Sequence, residues 1–223
     1  MILCAYPSRE EMAQALAARI ADELRAALVT GGRATLSVPG GTTPAPVFDV
    51  LALADLDWAR VDVLLNDERW VDEDSPRSNT RLLRDRLLVQ RAAAARLLPM
   101  HAATATPEQA LPALTAAILP ALPLTVALLG MGADMHTASL FPGAAHLAAA
   151  LSSDAPPLMA LRSDAAGEPR LTLTAPVLRG ARHLHILITG ADKHAAVLRA
   201  ADLSPLQAPV AGVLDRATVH WAD

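Results

Sequence analysis

Segments of strand and helix character alternate from one end of the chain to the other, and this order restricts the fold more than any other feature. Short runs rich in Val, Leu and Ile are separated by longer segments in which apolar residues recur at helical spacing. Such an alternation is typical of a parallel sheet with helices packed against it. We therefore expect an α/β fold, in which an open, mostly parallel sheet has helices on both faces and residues 1–223 form a single domain.

The apolar runs and periodic segments give a first set of element boundaries. Strands are predicted at residues 2–5, 34–38, 61–65, 124–129, 171–174, 183–189 and 218–221. Helices are predicted at residues 10–29, 44–53, 79–88, 107–119 and 191–201. The first helix is the clearest, because apolar residues recur every four positions from Met12 to Leu28 and Gly31 and Gly32 follow its end. The order corresponds to a Rossmann-like sheet.

The composition limits the binding partners that we expect for this protein and indicates its cellular compartment. Acidic side chains number 23 against 19 basic ones, a formal charge of −4, and no run of Lys or Arg occurs. Binding to nucleic acid or to an anionic membrane surface is therefore not expected. Hydrophobic residues make up 52% of the chain but aromatic ones only 3%, so the core must consist mainly of Ala, Leu and Val. Cys4 is the single cysteine, which excludes an intramolecular disulfide and favours a cytoplasmic protein.

One uncharged stretch, residues 110–133, is long enough to cross a bilayer. Pro112, Pro120 and Pro123 would interrupt such a helix three times. We interpret the stretch as a helix, a turn and a strand in the protein interior, with no membrane partner.

A glycine- and threonine-rich turn, Gly40-Gly41-Thr42-Thr43-Pro44, follows the predicted strand 34–38. Glycines let the backbone approach an anion closely, and threonine hydroxyls and the free N–H groups of a starting helix can donate to it. A phosphate would suit this position. The alternative is an ordinary turn in which Thr42 or Thr43 caps a helix. Because the turn lacks the Lys of a nucleotide P-loop, ATP or GTP binding is not indicated.

A charged segment, Asp67-Glu68-Arg69, comes directly after the strand 61–65, and Asn79 follows it at the start of a predicted helix. In open α/β sheets, ligands bind beyond the carboxyl ends of strands, so a site is expected here. Arg69 is suited to holding an oxyanion. A solvated loop with local ion pairs is the alternative interpretation.

A third segment runs from Gly130 to Gly143 and places Asp134 two residues before His136. A neutral imidazole can accept a proton from water near neutral pH, so His136 is a candidate general base. The alternative is a structural or merely exposed histidine. The Gly-x-Gly of this segment is not followed by the third glycine of a dinucleotide site, because Met135 stands there. No cofactor is therefore expected.

Other candidates in the sequence are weaker. Ser139 lies outside any Gly-x-Ser-x-Gly elbow, so a capping or packing hydroxyl is favoured over a nucleophile. His183 and His185 share a strand face without a nearby third ligand, and we predict no metal site. Arg170 and Lys193, each near the end of a predicted strand or the start of a helix, would be surface charges on their own. With the glycine- and threonine-rich turn, they could complete a phosphate pocket.

Taken in order along the chain, these segments resemble those of the 6-phosphogluconolactonase family. The resemblance rests on the Gly-Gly-Thr-Thr-Pro turn, Asp67-Glu68-Arg69 with Ser78-Asn79, the segment 130–142, and the runs 170–174 and 190–193. It covers nearly the whole chain. Related glucosamine-6-phosphate deaminases typically carry Tyr where this chain has Arg69, and a different run after the histidine.

The resemblance implies a cofactor-free enzyme that opens 6-phospho-D-glucono-1,5-lactone to 6-phospho-D-gluconate, a step of the oxidative pentose phosphate pathway. Under this hypothesis His136 activates water, Arg69 stabilises the oxyanion, and Asp67 or Asp134 positions one of the two. The phosphate would be held by the turn 40–43, Arg170 and Lys193. A sugar-phosphate isomerase or deaminase and a non-catalytic sugar-phosphate sensor domain are the alternatives.

One position departs from the family pattern. The family usually has Gly between the Asp and His of the third segment, and this chain has Met135. If the backbone there has a positive φ, methionine costs about 1–2 kcal/mol. The sequence leaves the oligomeric state open between a monomer and a small homo-oligomer.

Overall fold

Two sheets of unequal size organise the computed structural model of this chain, which describes residues 1–164 and 166–223. The larger is parallel throughout. Within the described residues its seven strands are β1 (Ile2–Ala5), β2 (Ala34–Val38), β3 (Val61–Leu65), β5 (Arg96–Leu97), β6 (Val126–Gly130), β9 (His183–Thr189) and β10 (Thr218–Ala222), in the spatial order β1-β10-β9-β6-β2-β3-β5. The smaller is antiparallel and consists of β4 (Asp67–Arg69), β7 (Leu158–Leu161) and β8 (Arg170–Leu173), in the order β4-β8-β7.

Helices cover both faces of the large sheet, as predicted. They are α1 (Arg9–Val29), α2 (Ala45–Leu51), α3 (Asn79–Arg86), α4 (Pro107–Ile118), α5 (Leu147–Leu151), α6 (Ala175–Arg179), α7 (Ala191–Ala200) and α8 (Ala211–Leu214). Among the helices of the described residues, none combines the length and the apolar character that a bilayer crossing needs.

The α1 helix shows how local sequence sets an element. The hydroxyl of Ser8 accepts a hydrogen bond from the backbone N–H of Glu11 at 3.1 Å and so caps the first turn. Leu16, Ile20 and Leu24 are completely buried, so one apolar face anchors the helix on the sheet. Removing a side chain of this size from water stabilises the fold by about 1.5–3 kcal/mol.

The predicted parallel α/β fold is confirmed, but the strand predicted at residues 171–174 does not lie in the parallel sheet. It forms β8 of the small antiparallel sheet. Residues 67–69, for which the sequence predicts no strand, form β4 and pair with β8, with Arg69 opposite Arg170. A strand of three residues is too short to show an alternation of apolar and polar side chains, so the pattern of the sequence does not reveal it.

The strand order reverses between β2 and β6, which are neighbours in the sheet. From β2 the chain continues to β3 on one side, whereas from β6 it leads towards β9 on the other. Loops that leave two such strands diverge and open a crevice at their carboxyl ends. The glycine- and threonine-rich turn leaves β2 and the segment with His136 leaves β6, so the topology places both at this crevice.

Candidate active site

A cavity of about 450 Å³ lies at the crevice. Ten of the eleven predicted site residues line it: Gly40, Gly41, Thr42, Thr43, Asp67, Arg69, Asn79, His136, Arg170 and Lys193. The eleventh, Asp134, contacts His136. The structure therefore brings together side chains that are far apart in the sequence.

The turn after β2 lies along the cavity with its hydroxyls uncommitted to the following helix. Gly41 has φ +86°, a left-handed conformation that glycine adopts without strain. The α2 helix begins after Pro44, and no side chain of the described residues caps it. The alternative interpretation, in which Thr42 or Thr43 caps a helix, is therefore not what the structure shows.

His136 is held from two sides. Its Nδ1 lies 2.5 Å from Oδ1 of Asp134, and its ring packs against that of Phe141 with 4.3 Å between the ring centroids. Because a carboxylate only accepts, Nδ1 carries the proton in the neutral ring and Nε2 carries the lone pair. Within residues 1–164 and 166–223, Nε2 makes no hydrogen bond to the protein, so it is available to a water molecule in the cavity.

The backbone that carries His136 is a tight, left-handed loop. Met135 has φ +66°, so the positive φ expected at this position is present. Its N–H donates to the carbonyl of Gly132 at 3.0 Å, and the N–H of Gly132 donates to the carbonyl of His136 at 3.0 Å. The N–H of Val210 donates to the carbonyl of Met135 at 3.1 Å. These bonds hold methionine in a conformation that favours glycine.

Arg69 reaches the cavity from β4. Its Nη1 donates to the carbonyl of Arg77 at 2.6 Å and to Oδ1 of Asn79 at 3.4 Å. Asn79 in turn donates through Nδ2 to the carbonyl of Asp67 at 3.0 Å. Gly40 packs against this amide so closely that a side chain there would overlap it. The small residue in the turn thus leaves room for the amide that orients Arg69.

Asp67 is buried, and within the described residues its carboxylate makes no hydrogen bond or ion pair with His136 or Arg69. Oδ2 accepts a hydrogen bond from the hydroxyl of Ser139 at 2.5 Å and lies 3.8 Å from Nη1 of Arg170. The structure therefore assigns support of His136 to Asp134 and not to Asp67. Ser139 is completely buried, which agrees with a packing hydroxyl rather than a nucleophile.

The two cations predicted to bind phosphate differ in their surroundings. Arg170 is buried; desolvation lowers its pKa, and the nearby carboxylate of Asp67 opposes that effect. Lys193 lies in the first turn of α7. This helix begins directly after Gly190, which has φ +86°. In the part of the chain that the structure describes, Lys193 has no ion-pair partner. Its charge is thus available to an anionic ligand, whereas that of Arg170 is largely offset.

No group of three or more His, Cys, Asp or Glu residues among the described residues could hold a metal ion. The cavity itself presents imidazole, carboxylate, guanidinium and ammonium groups.

Comparison with known proteins now identifies the family. A family model described as glucosamine-6-phosphate isomerases/6-phosphogluconolactonase matches residues 7–221. The chain belongs to this family. A 6-phosphogluconolactonase of Rhizobium meliloti (strain 1021) is 40% identical over 225 residues, with 97% of each chain covered. Another, from Mesorhizobium japonicum, is 41% identical over 225 residues, covering 98% of this chain and 94% of the relative.

A solved structure of a family member has the same fold as this chain. The crystal structure of a 6-phosphogluconolactonase from Shewanella baltica OS155 matches with a TM-score of 0.96 at 30% identity, covering 100% of this chain and 98% of that one. The family and the fold predicted from the sequence are both confirmed.

Two residues of this family member support the cavity although neither was predicted to have a role. Glu68 is completely buried, and its carboxylate accepts hydrogen bonds from the backbone N–H groups of Asn79 and Thr80 at the start of α3. Because side chains alternate along a strand, Glu68 points away from the face that Asp67 and Arg69 share. Phe141, the second residue, packs with its ring tilted against that of His136.

Proposed function

We propose that this chain hydrolyses 6-phospho-D-glucono-1,5-lactone to 6-phospho-D-gluconate, with His136 as the general base. The observation that carries the proposal is the pair of His136 and Asp134, whose free Nε2 shares one cavity with Arg69 and Lys193. The family and the relatives named above support the same reaction. Lactone hydrolysis needs a water activated by a base and donors for the developing oxyanion.

In this mechanism Nε2 of His136 takes a proton from water as the oxygen attacks the lactone carbonyl carbon. The tetrahedral intermediate carries a negative oxygen, which the guanidinium of Arg69 stabilises. The bond between the former carbonyl carbon and the ring oxygen then breaks, and the imidazolium returns its proton to that oxygen. The new carboxylic acid ionises to the product carboxylate. Proton transfer by such a base contributes about 10²–10⁴ in rate.

The substrate phosphate is assigned to the turn 40–43 together with Lys193 and Arg170. Binding energy from this distant group fixes the reacting carbon next to His136. Lys193, whose charge is not offset, supplies most of the attraction, and Arg170 marks the edge of the same pocket. The donors present, hydroxyls, backbone N–H groups and cations, are those that a phosphate dianion accepts.

Two substitutions test this division of labour. His136→Ala is expected to lower kcat by about 10²–10⁴ with little change in KM. Lys193→Ala is expected to raise KM about tenfold or more and to change kcat less. The rates are measured with the spontaneous opening of the lactone subtracted. A His136→Ala variant that keeps the parent kcat would contradict the assignment of the base.

The alternatives predict different observations. A deaminase or isomerase would release ammonia from glucosamine 6-phosphate. A sensor domain would bind 6-phosphogluconate tightly without turnover of the lactone above background. The family model includes isomerases, but the relatives and the solved structure compared above are named 6-phosphogluconolactonases, and Arg69 in place of tyrosine favours the lactonase. A single domain, a cytoplasmic location and a monomer or small homo-oligomer complete the proposal.

A further inference from the structure

Two arginines of the cavity face each other across the small antiparallel sheet. Arg69 on β4 is the direct partner of Arg170 on β8, and both side chains line the cavity. Like charges placed directly opposite in an antiparallel pair repel each other and destabilise it. A carboxylate must therefore lie between them if both guanidinium groups are to keep one orientation.

Glu168 supplies this carboxylate. Its Oε1 lies 3.5 Å from Nε of Arg69 and 3.6 Å from Nη2 of Arg170. Its Oε2 contacts the guanidinium of Arg77. A single carboxylate thus joins the two cavity arginines through one oxygen and receives a third guanidinium on the other.

The carboxylate of Glu168 lies away from solvent, whereas Arg69 and Arg77 are more exposed. The Glu168 side chain is only 11% exposed, and within the described residues its oxygens and Nε of Arg170 are buried without an aligned hydrogen bond. Charge attraction therefore joins Glu168 to the guanidinium groups, in addition to the hydrogen bonds that Arg69 makes to the carbonyl of Arg77 and to Asn79. Such attraction is strong where water is excluded.

Asp67 does not duplicate this role. It lies 3.8 Å from Arg170 and also accepts the hydroxyl of Ser139, but no ion pair joins it to Arg69 in the part of the chain that the structure describes. Glu168 is thus the carboxylate that contacts both arginines.

We propose that Glu168 is a positioning residue, which holds the guanidinium of Arg69 towards the reacting carbonyl by balancing Arg69 against Arg170. This inference rests on the proposed lactonase function. Glu168 does not line the cavity and is assigned no contact with substrate; it acts through the two arginines.

Loss of the negative charge of Glu168 should affect kcat and KM differently. Without Glu168 the two guanidinium groups repel each other, and Arg69 leaves the orientation in which it stabilises the oxyanion. The cavity also gains one net positive charge, which attracts a phosphorylated substrate more strongly. The variant is therefore expected to lose kcat while KM stays constant or falls. General damage to the pocket would instead raise KM.

The test compares Glu168→Gln, which removes the charge but keeps the shape, with Glu168→Asp, which keeps the charge. Glu168→Gln is expected to lower kcat about tenfold without raising KM, and Glu168→Asp to restore kcat to within about threefold of the parent. Glu108→Gln is the matched control, because Glu108 pairs with Arg162 outside the cavity. This control should keep the parent kcat and KM.

Product binding provides a readout that does not depend on turnover. In calorimetry, Glu168→Gln should bind 6-phosphogluconate at least as tightly as the parent. A kcat within twofold of the parent, a rise in KM without loss of kcat, no rescue by Glu168→Asp, or product binding weakened more than threefold would overturn the inference. If the parent itself does not open the lactone, the proposed function fails, and product binding alone then decides the role of Glu168.

Discussion

The imidazole of His136 occupies the space into which a side chain on Gly132 would project. A Cβ atom built on Gly132 overlaps both the imidazole ring and the carboxylate of Asp134. Gly132 does not have a positive φ, so this glycine is required by a close approach and not by its backbone conformation. The absence of a side chain at Gly132 thus makes room for the pair of His136 and Asp134.

We expect Gly132→Ala to push the imidazole and carboxylate apart and to lower kcat at least tenfold, because the base loses its position while the phosphate contacts remain. The change is measured by steady-state kinetics with the parent KM as reference. Gly212→Ala is the control, since a Cβ there meets its nearest neighbour at 3.7 Å, an ordinary contact. A Gly132→Ala variant with the parent kcat would show that the loop can shift without cost.

A second prediction concerns the left-handed residue next to the base. Met135→Asn should change the free energy of unfolding by less than about 1 kcal/mol and keep kcat, because asparagine tolerates a left-handed backbone. Met135→Val should destabilise the protein by about 1–2 kcal/mol and lower kcat, because a branched side chain resists this conformation. Urea unfolding and kinetics on both variants check this. Equal behaviour of the two would mean that backbone strain at this position is unimportant.

The parallel sheet and the residues of the cavity could be predicted from the sequence, because both follow from short-range patterns. The run at residues 61–65 is apolar except for Asp62 and is buried throughout, as is typical of a strand buried on both faces, and the polar residues after it mark the carboxyl end. The same argument located His136 after β6. These predictions required only the order of apolar and polar residues.

The contacts between these residues were not predictable in the same way. The pairing of β4 with β8 joins residues about a hundred positions apart, and nothing in either segment specifies the other. Glu168 therefore carried no sign that it would meet Arg69, and the contacts of the Asp67 carboxylate with Ser139 and Arg170 were not predicted. Asp134 is the exception, since a residue two positions from His136 across a tight turn is close by covalent connection.

Asp134 provides a third prediction. Asp134→Asn should lower kcat about 10–100-fold with little change in KM, because an amide neither fixes the tautomer of His136 nor balances its charge during proton transfer. Asp154→Asn, at an exposed loop residue, is the control and should behave as the parent. Steady-state kinetics on the two variants measure the effect. An Asp134→Asn enzyme with unchanged kcat would show that Asp134 has no part in the mechanism.

A fourth prediction concerns Glu68 beneath the cavity. Its carboxylate receives the N–H groups of Arg69, Asn79 and Thr80, each within 2.8 Å. In Glu68→Gln the side-chain NH₂ group faces backbone N–H groups and cannot accept a hydrogen bond from them. The free energy of unfolding should therefore fall by about 2–4 kcal/mol. Urea unfolding measures the loss. Glu10→Gln, in the exposed first turn of α1, should cost less than about 0.5 kcal/mol.

The last prediction arises from a buried chain of hydrogen bonds on the large sheet, formed by residues that do not line the cavity. Tyr6 Oη lies 2.8 Å from Nδ1 of His220, and Nε2 of His220 lies 3.1 Å from Nδ1 of His185. Nε2 of His185 lies 2.8 Å from Glu23. Glu23 accepts from His185, and each group donates to the next from Tyr6 onwards, with the imidazole of His220 neutral.

A proton on His220 would oppose this arrangement. Burial, together with the neighbouring His185 and Arg19, lowers its pKa from 6.5 to about 3, and Glu23 opposes them. The unfolded chain therefore binds more protons than the folded one at pH values between about 3 and 6.5. Stability from the neutral ring is present in full above pH 6.5 and is lost as the pH falls below that value.

The free energy of unfolding should accordingly fall by about 1.4 kcal/mol per pH unit below pH 6.5 because of His220 alone. Urea unfolding between pH 5 and 7 measures the slope above the range in which Glu23 titrates. His220→Asn cannot be protonated and should lose this part of the slope, whereas His194→Asn, at a ring that stacks on Trp221, should keep it. If His220→Asn retained the parent slope, the acid sensitivity would have to come from other groups, and the direction of the donor chain assigned to Tyr6, His220 and His185 would be wrong.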